Sequence, residues 1–188
     1  MISPGILALQ GGFEAHKKIV ENLGYSPLLV KTKEDLDSSH CLIIPGGEST
    51  VITSLLERTG LLNPLKEKIE KGFPLFGTCA GMILLSSSVE NSSQKTLRAM
   101  NYTVIRNAYG RQKESFETEL TWENRNFSGL FIRAPKPEKV GSDVKILLQY
   151  EDNPILLREK NCLAASFHPE LTGFDGIHSY FLNEMVDS

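Results

Sequence analysis

Cys79 stands in the run Gly77-Thr78-Cys79-Ala80-Gly81, with a short apolar stretch ahead of it and a helical pattern behind it. A G-x-C-x-G run at a strand-to-helix turn is the thiol counterpart of the G-x-S-x-G elbow, which projects its central side chain as a nucleophile. The glycines are required because a neighbouring strand and the helix pass too close for a Cβ. The helix N-terminus turns free N–H groups and a positive dipole end towards the thiol, which favours thiolate and a developing oxyanion. Most free cysteines are small buried apolar residues. Cys41 and Cys162, inside apolar strands, take that reading, and the glycine bracket sets Cys79 apart from them.

A thiol nucleophile needs a base, and the base needs an orienting group. Of the four histidines, His16 falls in the first predicted helix, His40 in a polar turn and His178 in the last helix. His168 closes an apolar strand in Phe167-His168-Pro169-Glu170-Leu171. Pro169 biases His168 towards extended backbone. Residues i and i+2 of an extended segment share a side, so Glu170 can accept from the imidazole, fix its tautomer and stabilise imidazolium. The alternative for His168 is a strand-end histidine satisfied by a nearby carboxylate. Catalytic groups of open α/β sheets gather at the carboxyl ends of strands, where both Cys79 and His168 fall.

Pro45-Gly46-Gly47-Glu48-Ser49 follows another apolar strand. Consecutive glycines let backbone N–H groups face a ligand at close range. One of these, from Gly46-Gly47, could join the Ala80 N–H in an oxyanion hole; the same turn is also an ordinary loop. It is no P-loop, because the Lys-Ser/Thr ending is absent. Arg106 and Arg133 each end a strand. A guanidinium there grips a carboxylate bidentately or is simply solvated.

The elements that must carry these residues alternate in the first half. Strands are predicted at Gly5–Leu9, Pro27–Val30, Cys41–Ile44 and Pro74–Gly77, and helices at Phe13–Leu23, Val51–Arg58 and from Ala80 to Ser87. Asn63-Pro64 reads as an N-cap and first helical position, with Gly72 as the stop. Short apolar strands alternating with helices predict a parallel sheet covered on both faces. After Ser88 the pattern becomes strands and turns: Tyr102–Ile105, Phe116–Trp122, Gly129–Ile132, Val144–Tyr150, Ile155–Arg158 and Leu163–Phe167. Some of these should pair antiparallel. A last helix spans about Gly173 to Met185. No repeat, low-complexity tract or linker divides the chain, so residues 1–188 read as one domain.

With 188 residues, 40% hydrophobic and 23% charged, the chain suits one globular domain. A net charge of −3 and no basic stripe argue against nucleic acid. No apolar run approaches the roughly 18 residues of a membrane span, and the N-terminus lacks the marks of a secretory signal. Three scattered cysteines form neither a disulfide framework nor a zinc pattern. A reducing, cytoplasmic compartment is the expectation.

Taken together, Leu9-Gln10-Gly11 (LQG), PGGEST at 45–50, FGTCAG at 76–81, RNAYGRQ at 106–112, FIRAP at 131–135 and FHPEL at 167–171 resemble the class I glutamine amidotransferases. More narrowly, they are similar to the glutaminase subunits of pyridoxal phosphate (vitamin B6) synthase, from Gly5 to Met185. The resemblance implies a single three-layer α/β domain with a central mixed, largely parallel sheet. It implies a triad of Cys79, His168 and Glu170, with glutamine contacts at Gly47, Glu48, Ser49, Arg106, Ile132 and Arg133. Gly47 and Ala80 would form the oxyanion hole. Ammonia would pass to a separate synthase subunit in a hetero-oligomer; no metal or bound cofactor is implied. The chain departs from the family's usual pattern at Ser86–Asn101, at Gly12–His16 and at Thr172–Gly176, which touches docking rather than the triad. Other readings are a glutaminase serving a different synthase, such as imidazole glycerol phosphate synthase, a non-catalytic interaction subunit, or a cysteine peptidase of related architecture.

Overall fold

In a computed structural model, residues 2–106, 108 and 115–186 are described. Asn107 and Tyr109–Gln112 of the RNAYGRQ run lie outside them. The first half follows the expected alternation: β1 (Pro4–Leu7), α1 (Phe13–Asn22), β2 (Leu28–Val30), α2 (Lys33–Asp37), β3 (Cys41–Ile44), α3 (Ser49–Arg58), α4 (Leu62–Glu70), β4 (Leu75–Thr78) and α5 (Ala80–Leu85). The second half contributes β5 (Ser88–Val89), β6 (Thr103–Ile105), β7 (Ser115–Trp122), β8 (Arg125–Ile132), β9 (Lys136–Glu138), β10 (Lys145–Tyr150), β11 (Asn153–Glu159) and β12 (Cys162–Ala165). A 3-10 turn at Pro169–Leu171, α6 (Gly176–Phe181) and a π-helical turn at Leu182–Val186 complete it.

Seven strands form the central sheet in the order β10-β11-β12-β4-β3-β1-β2. β2, β1, β3, β4 and β12 run parallel, and β12-β11-β10 continue antiparallel. The sheet is therefore mixed and largely parallel, as predicted. Smaller assemblies flank it: β5-β6-β9 and the β7-β8 hairpin.

Alternate residues of the parallel strands feed two separate cores, as the period of two requires. Leu7, Leu42, Ile44, Leu75 and Ala164 pack with Leu36 of α2, Ile52 and Leu56 of α3, Leu65 of α4 and Met82 of α5. Ile6, Ile43, Phe76, Leu163 and Ala165 pack with Val20 of α1, Ile177 and Phe181 of α6, and Leu120, Phe127 and Phe131 of the hairpin. Each face of the sheet thus carries its own layer.

Several boundaries differ from expectation. Asn63 and Pro64 are not the cap and first residue of α4; Leu61 is the N-cap residue, and no side chain among the described residues caps the helix. The predicted cap pair is overridden because Leu61 and Leu65 are buried in the core, which draws the helix start back. The last helix begins at Gly176, not Gly173, because Gly173 takes a positive φ of 73° that ends any earlier turn. The short α2 is an addition to the predicted elements, although Thr32 and Asp35 form a capping box that announces it. The Asp35 N–H donates to Thr32 Oγ1 at 3.2 Å and the Thr32 N–H donates to Asp35 Oδ2 at 2.9 Å. Strands β5 and β9 are additions too; two or three residues carry too little alternation to read.

Candidate active site

β4 delivers Thr78 to the carboxyl end of the sheet, and α5 starts just past Cys79, at Ala80. Cys79 makes the turn with φ 48° and ψ −99°, a conformation that side chains avoid. Its backbone is held on both sides, the N–H donating to the Ala165 carbonyl at 2.8 Å and the carbonyl accepting from Ile83 at 3.1 Å. The flanking glycines are there for space. A Cβ on Gly77 would lie 2.5 Å from the Gly81 carbonyl carbon, and one on Gly81 would lie 2.2 Å from the Ile44 oxygen. The elbow expected from sequence is present in its geometry.

His168 stands just beyond β12, its N–H donating to Leu130 of β8 at 2.9 Å. Its Nδ1 lies 2.7 Å from Glu170 Oε1. The expected i,i+2 contact forms by a different route: Glu170 belongs to the 3-10 turn Pro169–Leu171, not to an extended segment. Cys79 lies beside the imidazole in the same pocket, and its thiol donates to the Ile132 carbonyl at 3.7 Å. Burial opposes a charge on His168, but its neighbours Cys79 and Glu170 outweigh it and raise the imidazole to about 10. Burial likewise opposes ionisation of Glu170, yet His16 and His168 hold its carboxyl well below the usual range. The imidazole is thus protonated and the carboxylate charged at neutral pH. Burial pushes the Cys41 and Cys162 thiols up to about 12.

Cys79, His168 and Glu170 open onto a cavity of about 380 Å³ that also takes in Gly46, Gly47, Glu48, Ser49, Arg106, Ile132 and Arg133. That volume lies within the usual range of small-molecule sites. All six expected substrate contacts therefore reach one cavity. The Gly46-Gly47 loop is tied to the β1–α1 turn: the Gly12 N–H donates to the Gly46 carbonyl at 2.9 Å, and the Glu48 N–H donates to Gln10 Oε1 at 3.0 Å. Gly46 lies against the imidazole, since a Cβ there would stand 2.3 Å from His168 Cε1. The Ala80 N–H, first in α5, is among the donors a helix start leaves unpaired. At the mouth, Arg106 pairs with Glu48 at 2.9 Å. Glu48 is held below its usual range despite burial by Thr50, Arg106 and Arg133. Among the described residues no group of three His, Cys, Asp or Glu side chains is arranged to hold a metal ion.

Several residues at the site carry no expectation from sequence. Gln94 Oε1 accepts from Ser49 Oγ at 3.3 Å and from Arg106 at 3.4 Å. Behind Glu170 lie three buried polar side chains, Thr78, His16 and His178. The signal for His16 is its place as the polar member of an apolar helix face with Ile19 and Val20, three and four residues on. Gln94 has no signal beyond lying in an unusually polar stretch.

The sequence profile of the SNO glutamine amidotransferase family matches residues 6–187. The chain is 48% identical to a pyridoxal 5'-phosphate synthase subunit PdxT from Thermosipho africanus, over 95% of this chain and 96% of that one. It is 46% identical to the protein of the same name from Thermotoga petrophila, over 97% and 98%. Among solved structures, a glutamine amidotransferase superposes with a TM-score of 0.93 at 42% identity, covering 98% of this chain and 99% of the other. The structure of PurLQS from Thermotoga maritima shares the fold at a TM-score of 0.69 and 15% identity, covering 98% and 99%.

Proposed function

The chain belongs to the SNO glutamine amidotransferase family, and from that premise we propose that Cys79, His168 and Glu170 hydrolyse L-glutamine and release ammonia for pyridoxal 5'-phosphate synthesis. The observation that carries the assignment is the convergence of Cys79, a protonated His168 and its partner Glu170 on one cavity.

The steps follow from the protonation states. Cys79 Sγ attacks the side-chain amide carbon of glutamine as thiolate, and the amide oxygen becomes an oxyanion. The N–H groups of Gly47 and Ala80 take up its charge. His168 gives its proton to the amide nitrogen, the C–N bond breaks, and ammonia leaves a γ-glutamyl thioester on Cys79. Neutral His168 then takes a proton from water. The hydroxide attacks the thioester carbon, the C–S bond breaks, and glutamate leaves with the Cys79–His168 pair restored. Glu170 holds His168 in the tautomer that keeps Nε2 for this exchange. At the mouth, Arg106 and Arg133 offer guanidinium groups to the substrate carboxylate, and Glu48 accepts from its ammonium.

The ammonia acceptor is the synthase subunit of pyridoxal 5'-phosphate synthase, joined to this chain in a hetero-oligomer. The high identity and near-complete overlap with proteins of that name support this reading. Residues 1–188 act in it as one glutaminase domain. Three unpaired thiols favour a reducing compartment, the cytoplasm. No described helix is long and apolar enough to cross a membrane.

The test is ammonia release from glutamine by the chain alone and with the synthase subunit. Release should rise sharply with the partner. Cys79→Ala should abolish it while leaving circular dichroism unchanged. Turnover retained by that variant would remove Cys79 from the mechanism, and no release by the unaltered chain under either condition would favour a non-catalytic subunit.

A further inference from the structure

Glu170 is almost wholly buried, yet only one of its oxygens is engaged. Oε1 meets His168 Nδ1 at 2.7 Å, His16 Nε2 at 3.5 Å and Thr78 Oγ1 at 3.5 Å. Oε2 is buried without a hydrogen-bond partner among the described residues. The donors on Oε1 therefore decide which way the carboxylate faces. His16 comes from α1 and lies fully buried, its Nε2 3.1 Å from Thr78 Oγ1 and its Nδ1 2.8 Å from Nε2 of His178 on α6. The Phe76 ring stands edge-on to both imidazoles, at 6.3 Å and 5.2 Å between centroids.

The proton positions along this row of side chains follow from its far end. His178 is fully buried, and burial, the largest cause, holds its imidazole well below the ordinary range, so it is neutral and carries a single N–H. Its Nδ1 has no partner among the described residues. A buried bare acceptor is tolerated more often than a buried orphan N–H. The proton of His178 accordingly sits on Nε2, where it donates to His16 Nδ1. His16 then has its own proton on Nε2, facing Thr78 and Glu170. The Thr78 hydroxyl, receiving from His16, turns its hydrogen towards Glu170.

We propose that His16 and His178 are positioning residues of the hydrolysis: a one-way row of donors from His178 through His16 and Thr78 fixes the Glu170 carboxylate in the orientation that receives the His168 N–H. The proposal rests on the triad reading above. The titratable groups facing Glu170 are His16 from α1 and His168 beside it; His178 acts through His16, and Cys79 through His168. Neither His16 nor His178 lines the cavity, so both act through Glu170 and not on the substrate.

His178 offers the cleaner test, because a glutamine there keeps an N–H donor near the Nε2 position and a leucine keeps only the bulk. Assayed with the synthase subunit, His178→Gln should stay close to the unaltered enzyme. His178→Leu should lose about tenfold in kcat, the scale of outer-shell effects on oriented histidines, with KM for glutamine unchanged. A loosely held Glu170 retains the His168 proton less well, so the alkaline limb of the pH profile should move to lower pH in the leucine variant. Ring 15N spectra of the full chain should show His178 and His16 both protonated on Nε2. An unchanged kcat and pH profile in His178→Leu would overturn the proposal, as would equal losses in both variants or a proton on His178 Nδ1. Should the leucine variant fail to fold, the glutamine variant and the ring spectra still decide. Turnover in Cys79→Ala would sink the triad instead, while the ring spectra test the donor row independently of it.

Discussion

The two histidines whose protonation is most displaced are displaced in opposite directions. His168 is raised to about 10 by its partners against burial, and His178 is lowered to about 3 by burial. Their effects on stability oppose each other accordingly. His168 contributes stability that is present below its ordinary 6.5 and is lost as pH rises towards 10. His178 works the other way: below 6.5 the unfolded chain binds a proton that the folded chain refuses, so stability falls as pH drops from 6.5 towards 3. Each such proton steepens the loss by up to about 1.4 kcal/mol per pH unit. Urea unfolding of His178→Leu between pH 7 and pH 5 should therefore show a shallower loss than the parent chain. That window lies above the ordinary range of Glu170, whose lowered carboxyl would otherwise add a loss of the same sign.

At the level of elements, the elbow works because β3, β4 and α5 approach more closely than side chains allow. Gly81→Ala would set a Cβ 2.2 Å from the Ile44 carbonyl, a backbone atom that cannot swing aside. The variant should lose about 2 kcal/mol or more of stability, and kcat should fall with it because Cys79 rides on the same turn. Gly12→Ala is the control: its Cβ would meet nothing within 4 Å, and its urea midpoint should stay close to that of the parent. Equal behaviour of the two variants would show that α5 has room to retreat. The elements also account for what is readable locally. The glycine bracket makes room for the Cys79 turn, and the Pro169 turn puts Glu170 within reach of His168; both are effects over a few residues.

Over the whole molecule, the sheet separates two cores that share only its strands, and the site draws on both layers. α5 and α3 bring Cys79 and Ser49 from one face, while α1 and α6 bring His16 and His178 from the other. Shared strands should make the two layers unfold as one cooperative unit. The single tryptophan, Trp122, is buried in the second core, so its fluorescence reports that layer, whereas far-ultraviolet circular dichroism reports all the helices. The two urea transitions should coincide. Transitions separated in midpoint would show that one layer melts ahead of the other, and that residues 1–188 are not a single folding unit.

The sequence alone determined the alternation of strands and helices, the elbow at Cys79, the pairing of His168 with Glu170 and the glycine loop at Gly46-Gly47. These depend on contacts between near neighbours and on periodicity, which local chemistry dictates. Tertiary structure decided the rest. His16 and His178 stand 162 positions apart and meet at 2.8 Å only because α1 and α6 cover the same face of the sheet. Gln94 reaches Ser49 and Arg106 only once β6 and α3 are brought to the rim of one cavity. Such meetings depend on strand order and on the face each helix covers. Neither is encoded in the spacing of residues along the chain, so these side chains read in the sequence as isolated polar residues.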